Sequence, residues 1–159
     1  MILLLLFSFS PARNIVVKMA TLAPEGTDWH GMLIEMGQEW KDATKGKVRL
    51  RIYPGGILGD ERDMVRKMRI GQIHAAGMTA EGLSEIVSEF SGYFVPLVYQ
   101  DSDDVQAVTE ALLPQFESKL EENGFKLLYL GELTWVYWFS VEPIKIPADL
   151  KKRKFFTWA

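Results

Sequence analysis

The chain has 159 residues, a net charge of −3, 48% hydrophobic residues and no cysteine. Its length suits one ordinary domain or one lobe with the start of another, and its apolar content supports a sizeable core. The composition excludes disulfides, thiolate metal sites, a cysteine nucleophile and a lipidated N-terminal cysteine, and without a basic patch among aromatics nucleic acid is not an expected partner.

Ile2 to Phe9 is an apolar run too short to span a bilayer. Small residues follow at Ser10-Pro11-Ala12. Residues 1–12 therefore read as a signal peptide, although no basic segment precedes the run. Ile15 to Ala20 is the first strand. The loop from Thr21 to Asp28 contains Pro24 and Gly26, and Thr27 or Asp28 caps a helix. Its apolar positions are Trp29, Met32, Leu33, Met36, Trp40 and Ala43, spaced by three and four along one face. Core packing is expected for all of them except Trp29, which sits in the first turn beside the loop. Gly46 ends the helix.

Val48, Leu50 and Ile52 alternate with Lys47, Arg49 and Arg51, which predicts a strand with one face buried. Pro54-Gly55-Gly56 turns the chain, and Asp60 caps a helix striped by Met64, Val65 and Met68. The acids of its first turn suit the helix dipole. Gly71 is its C′ residue, and Ile73 to Ala76 is a short strand. A helix from Glu81 to Phe90, broken by Ser91-Gly92, leads to an extended segment from Tyr93 to Tyr99. Asp101 to Asp104 caps a long helix, Val105 to Asn123, which Pro114 should kink or split. Strands are expected at Phe125 to Leu130, at Trp135 to Val141 and from Lys154 onward, with Pro143 and Pro147 marking a linker.

Strands alternating with helices predict an α/β fold with a mainly parallel sheet. Ligands of such sheets gather beyond the carboxyl ends of the strands. Those ends lie at residues 21–29, 77–81 and 131–137. The first two supply Thr21, Thr27, Asp28, Trp29, Met78, Thr79 and Glu81 as candidate contacts. Glu81 suits a ligand cation or hydroxyl; its structural alternative is an acid in a helix's first turn.

No catalytic motif is present. His30 and His74 are the only histidines, and His74, between a strand isoleucine and alanines, reads as a satisfied core residue. Gly55, Gly56 and Gly59 lack the Lys-Ser/Thr of a phosphate loop. Asp101, Asp103 and Asp104 lack the Gly and distal Glu of a calcium loop. No metal or cofactor is expected.

The run T-x-G-K-V-x-L-x-x-Y-P-G-G-x-L-G-x-E, Thr44 to Glu61, is followed by Gly71-Gln72-Ile73. Further on come Val95-Pro96-Leu97, Gly124-Phe125-Lys126 and Pro143-Ile144 with Pro147, Asp149, Leu150 and Lys151. This combination resembles the solute-binding subunits of TRAP transporters, and it covers about the first half of one. The resemblance implies a type II periplasmic-binding-protein-like fold, truncated: a first α/β lobe over 13–124, then the crossover and an incomplete start of a second lobe over 125–159. It implies a periplasmic protein, not an enzyme, that captures a small organic solute between lobes and delivers it to the small and large membrane permease subunits. The rival classes are an enzyme and a partner-sensing module on the same fold.

In that family a second-lobe arginine grips a substrate carboxylate. Its position falls on Phe156, and a second basic position falls near Val136. Aromatic residues stand nearby instead, and Trp135, Tyr137, Phe156 and Trp158 are candidate contacts. By alternation, Trp135, Tyr137 and Phe139 share one strand face, Val136 and Trp138 the other. The alternative is that these rings fill the second lobe's core. Loss of the clamp predicts a neutral, apolar or aromatic solute, unless a basic residue further along restores it.

Overall fold

The computed structural model describes residues 14–96, 98–131, 137 and 139–154. The chain divides into two compact units between Leu128 and Tyr129.

The first unit is built on a three-stranded parallel sheet in the order β2-β1-β3, with β1 at Ile15–Thr21, β2 at Val48–Tyr53 and β3 at Ala75–Gly77. β1 pairs along its length with β2, from Ile15 opposite Val48 to Ala20 opposite Tyr53. β3 meets only its last part, Met19 opposite Ala75 through Thr21 opposite Gly77. The sheet is therefore full width only at the carboxyl end of β1. Burial follows: Ile15 and Val16 are exposed, whereas Met19, Ala20 and Thr21 are buried.

Helix α1, Asp28–Ala43, connects β1 to β2 and is capped by Thr27. Helix α2, Glu61–Arg69, connects β2 to β3 and is capped by Asp60, whose Oδ1 accepts the Asp63 N–H at 2.9 Å. The expected stripe of α2 does pack inward. Met64 and Ile73 form the core with Ala20, joined by Leu58, Met68, Ala76 and Met78. Helix α3, Ala80–Ser84, is one turn long, and a 3₁₀ helix follows at Ser88–Phe94. Helix α4, Ser102–Glu122, is capped by Asp101. Phe116 of α4 stacks on Phe90 with ring centroids 4.1 Å apart, and Val87, Phe90, Phe116 and Leu120 are all buried.

Several expectations change on contact with the structure. No residue of α1 is buried, and Met32 is 49% exposed. The helix approaches β2 through Gly37, where an added Cβ would lie 3.0 Å from Leu50 Cβ. Resting on the edge strand of a narrow sheet, it leaves much of the apolar stripe uncovered. β3 starts two residues late, so His74 precedes it and is exposed; its N–H donates to the Lys18 carbonyl and its Nδ1 accepts the Lys18 N–H. The predicted helix over 81–90 ends at Ser84, and the extended Val87 precedes the 3₁₀ helix, which contains Ser91-Gly92 together with Tyr93 and Phe94. Helix α4 runs unbroken through Pro114. Phe125 to Leu130 is not a strand, because no neighbouring strand offers it a ladder among the described residues. Phe125 is held instead by the guanidinium of Arg69, 5.5 Å from its ring centroid.

The second unit contains a 3₁₀ helix at Pro147–Lys152 where the sequence suggested only a linker. Asp149 Oδ2 accepts the N–H groups of Lys145 at 2.9 Å and Ile146 at 3.1 Å, and these bonds hold its carboxyl below the usual range. Tyr137, Phe139 and Val141 are exposed and form no strand. The expected signal peptide, and the candidate contacts Trp135, Phe156 and Trp158, lie outside the described residues, as do Val136 and Trp138.

Candidate functional site

The carboxyl end of β1 is closed by two loops that hydrogen-bond to each other. Thr21 is buried, and its Oγ1 accepts the Ala23 N–H at 3.2 Å. The turn after β2 is strapped across it: Gly55 donates to the Ala23 carbonyl and Gly56 to the Thr21 carbonyl. Thr21 is thus the base of the wall, inside it. Thr27, Asp28 and Trp29 lie beyond, exposed at the start of α1. Thr27 Oγ1 donates to the Pro24 carbonyl at 2.8 Å and accepts the His30 N–H at 3.4 Å. His30 Nδ1 accepts the Gly26 N–H, so this histidine closes the loop.

On the other side of β1, Gly77 lies opposite Thr21 and leads into Met78, Thr79 and α3. Met78 packs on the core. Thr79 and Glu81 are exposed. Thr79 caps α3 by accepting the Glu81 N–H at 3.2 Å.

The residue that holds this second loop is Glu61, in the first turn of α2. It is 93% buried by its 7% relative exposure. Its Oε1 accepts the Thr79 N–H at 2.6 Å, and its Oε2 accepts the Thr79 hydroxyl at 2.7 Å and the Gly82 N–H at 2.8 Å. A buried carboxylate is costly unless it is hydrogen-bonded, and these three donors meet that need. They also anchor the β3–α3 loop to α2. A second tie runs from Arg62 Nε and Nη2 to Glu85 Oε1, at 3.1 and 2.9 Å, and this hydrogen bond raises the affinity of Arg62 for its proton.

The structure therefore brings Thr21, Met78 and Thr79 together around paired β1 and β3 ends, and it sets Thr27, Asp28 and Trp29 on the loop that leaves β1. Among the described residues no side-chain hydrogen bond joins that α1 group to Thr79 or Glu81. Tyr137 is exposed in the second unit. Sequence reasoning missed Glu61. It assigned acids of that turn to the helix dipole, and the one available signal was the closing Glu of the Thr44-to-Glu61 motif. Among the described residues, no group of three or more His, Asp or Glu is placed to hold a metal, and no helix is long and apolar enough to cross a membrane.

A parallel α/β lobe with polar groups gathered beyond its strand ends is the architecture of a ligand-binding lobe. The chain belongs to the family described as bacterial extracellular solute-binding protein, family 7, whose profile matches residues 19–158. It is 25% identical over 148 residues to a solute-binding protein of Roseobacter denitrificans, covering 90% of this chain and 44% of that one. It is 28% identical over 122 residues to the 2,3-diketo-L-gulonate-binding periplasmic protein YiaO of Escherichia coli, covering 74% of this chain and 36% of that one. Among solved structures, a TRAP periplasmic solute-binding protein from Citrobacter koseri with bound D-glucuronate matches with a TM-score of 0.59 and 27% identity, over 68% of this chain and 36% of that one. The chain spans less than half the length of these relatives. The α/β fold expected from the resemblance, with its parallel sheet, is the one observed.

Proposed function

We propose that this chain supplies the first lobe of a periplasmic solute-binding protein of a TRAP transporter. The family match over residues 19–158 carries the reading. The lobe provides one wall of the ligand cleft at the carboxyl ends of β1 and β3, and Thr27, Asp28, Trp29, Thr79 and Glu81 are its exposed contacts. Thr21 and Met78 shape that wall from beneath. Trp135, Tyr137, Phe156 and Trp158 complete the proposed contacts from the second lobe, whose start is assigned to 125–159 after a first lobe over 13–124. The loaded protein delivers its solute to the small and large permease subunits. A family of solute-binding proteins supports capture without turnover, so the protein is read as a carrier, not an enzyme.

The ligand class follows from the relatives. D-Glucuronate and 2,3-diketo-L-gulonate are both sugar acids, so a small polyhydroxylated carboxylate is the first ligand to test. The opposing expectation of a neutral solute rests on Val136 and Phe156. Calorimetric titration of the full-length protein with D-glucuronate, 2,3-diketo-L-gulonate and D-glucose separates the two. Saturable binding of either acid, with none of the neutral sugar, is the expected result. Turnover of such compounds without saturable binding would overturn the proposal.

A further inference from the structure

Lys18 stands in the central strand and is half-buried, a setting in which lysine is uncommon without a partner. It shares a strand face with Ala20, two positions on, which packs against Met64 of α2. The parallel register sets Arg51 of β2 directly opposite Lys18. Like charges so placed repel and weaken a sheet. Tyr53 is the next residue of β2 on that face, and the Arg51 guanidinium lies over its ring, 5.0 Å from the centroid. A third cation comes from the helix: Lys67 of α2 donates to the Leu58 carbonyl. Lys18, Tyr53, Leu58, Lys67, Gln72 and Ile73 together line a hollow of about 180 Å³. No acid lines it, and among the described residues Lys18, Arg51 and Lys67 form no ion pair.

We propose that this hollow binds a phosphate group, carried by free inorganic phosphate or by a lipid head group. Lys18 and Lys67 supply the charge, and Lys67 keeps two N–H donors beyond the one given to Leu58. The Tyr53 hydroxyl and the Gln72 amide add neutral donors, and Arg51 adds a cation beside the Tyr53 ring. An ammonium is a point charge that meets a tetrahedral phosphate from any side, whereas a planar carboxylate is matched best by the arginine fork. The hollow is smaller than the roughly 300 Å³ at which pockets for whole small-molecule ligands begin, so it takes a single charged group. An anion held there sets an attraction to each cation against the repulsion between Lys18 and Arg51. None of the proposed first-lobe solute contacts lines the hollow, so this site stands or falls independently of the sugar-acid reading.

The test titrates the full-length protein with inorganic phosphate, and with acetate at matched ionic strength, following backbone amide shifts by NMR. Phosphate should shift the Lys18, Tyr53 and Gln72 amides saturably, with acetate about tenfold weaker. Lys18→Met and Lys67→Met should each weaken phosphate binding by about tenfold, the loss of one charge-assisted hydrogen bond. Arg69→Gln removes a cation that does not line the hollow and should leave the affinity unchanged. Cosedimentation with phosphatidylglycerol vesicles, against phosphatidylcholine vesicles, separates the two sources. Pelleting that both lysine variants reduce assigns the lipid head group, and saturable phosphate shifts without such pelleting assign free phosphate. A wild type that shows neither would overturn the proposal without any variant. Equal affinity for acetate and phosphate would overturn it too, as would phosphate binding that both lysine variants retain.

Discussion

Gly82 gives its N–H to Glu61 Oε2 at 2.8 Å, and a Cβ on residue 82 would sit 2.8 Å from both Glu61 Cβ and that same Oε2. The Met78 sulfur would be 3.0 Å away on another side. The close approach that makes the hydrogen bond is possible only without a side chain. Gly82→Ala should therefore push α3 away from α2 and cost about 1–3 kcal/mol. Urea denaturation measures it, and an unchanged midpoint would show that the loop yields without loss.

Removing the carboxylate should cost more. Glu61→Ala leaves the Thr79 and Gly82 N–H groups facing an apolar gap, with an expected loss of about 2–4 kcal/mol. Glu61→Gln retains an acceptor and should fall between. Amide exchange at Thr79 and Gly82 should accelerate in both variants while the Met19 amide stays protected.

Met64 is fully buried between α2 and the sheet, whereas Met32 on α1 is half exposed. Met64→Ala should destabilise by about 2–5 kcal/mol. Met32→Ala should change stability by well under half as much, because it leaves no enclosed cavity. Similar losses at both sites would contradict the exposed disposition of α1.

Lys119 of α4 forms an ion pair with Glu89 of the first 3₁₀ helix. The Lys119 hydrogen bond, and after it a backbone hydrogen bond at Glu89, lower the Glu89 pKa. A carboxyl that titrates lower when folded contributes stability above its unfolded pKa and loses it as pH falls through the folded one. The contact between α4 and the 3₁₀ helix should thus be intact at pH 7 and weaken below about pH 4. Side-chain NMR titration of Glu89 in wild type and Lys119→Met checks this; equal titration midpoints would refute it.

The amides of β1 from Met19 to Thr21 should exchange far more slowly than those of Phe139 to Val141. The former are paired in a buried sheet, whereas Phe139 and Val141 are 90% and 104% exposed. Hydrogen exchange on the same sample reads both, and equal protection would contradict the described exposure of the second unit.

Much of the local structure was legible before any coordinates. The alternation of Val48, Leu50 and Ile52 marks β2, and the stripe of Met64, Val65 and Met68 marks the buried face of α2. The helix starts were also readable: one of the paired options Thr27 and Asp28 caps α1, while Asp60 and the cluster opening at Asp101 cap α2 and α4. Less of the site was readable. Thr79 was recognisable as a residue at a strand end, but the engagement of its hydroxyl was not. His74, expected in the core, lies exposed beside Lys18 because the strand begins after it.

What the sequence by itself determined is what neighbouring residues decide among themselves: periodicity, caps and turns are settled within a few positions, where side chain and backbone are already in reach. Only the tertiary structure decided whether the α1 stripe would be covered, whether Phe125 to Leu130 would find a strand to pair with, and which acid of α2 would turn inward. Glu61 meets Thr79 and Gly82 across 18 and 21 residues, and nothing in the spacing separates it from Asp63 beside it. The difference is made by the partner. A carboxylate is stable in the interior where backbone N–H groups from a distant loop converge on it, and that convergence exists only once β3 has docked beside β1.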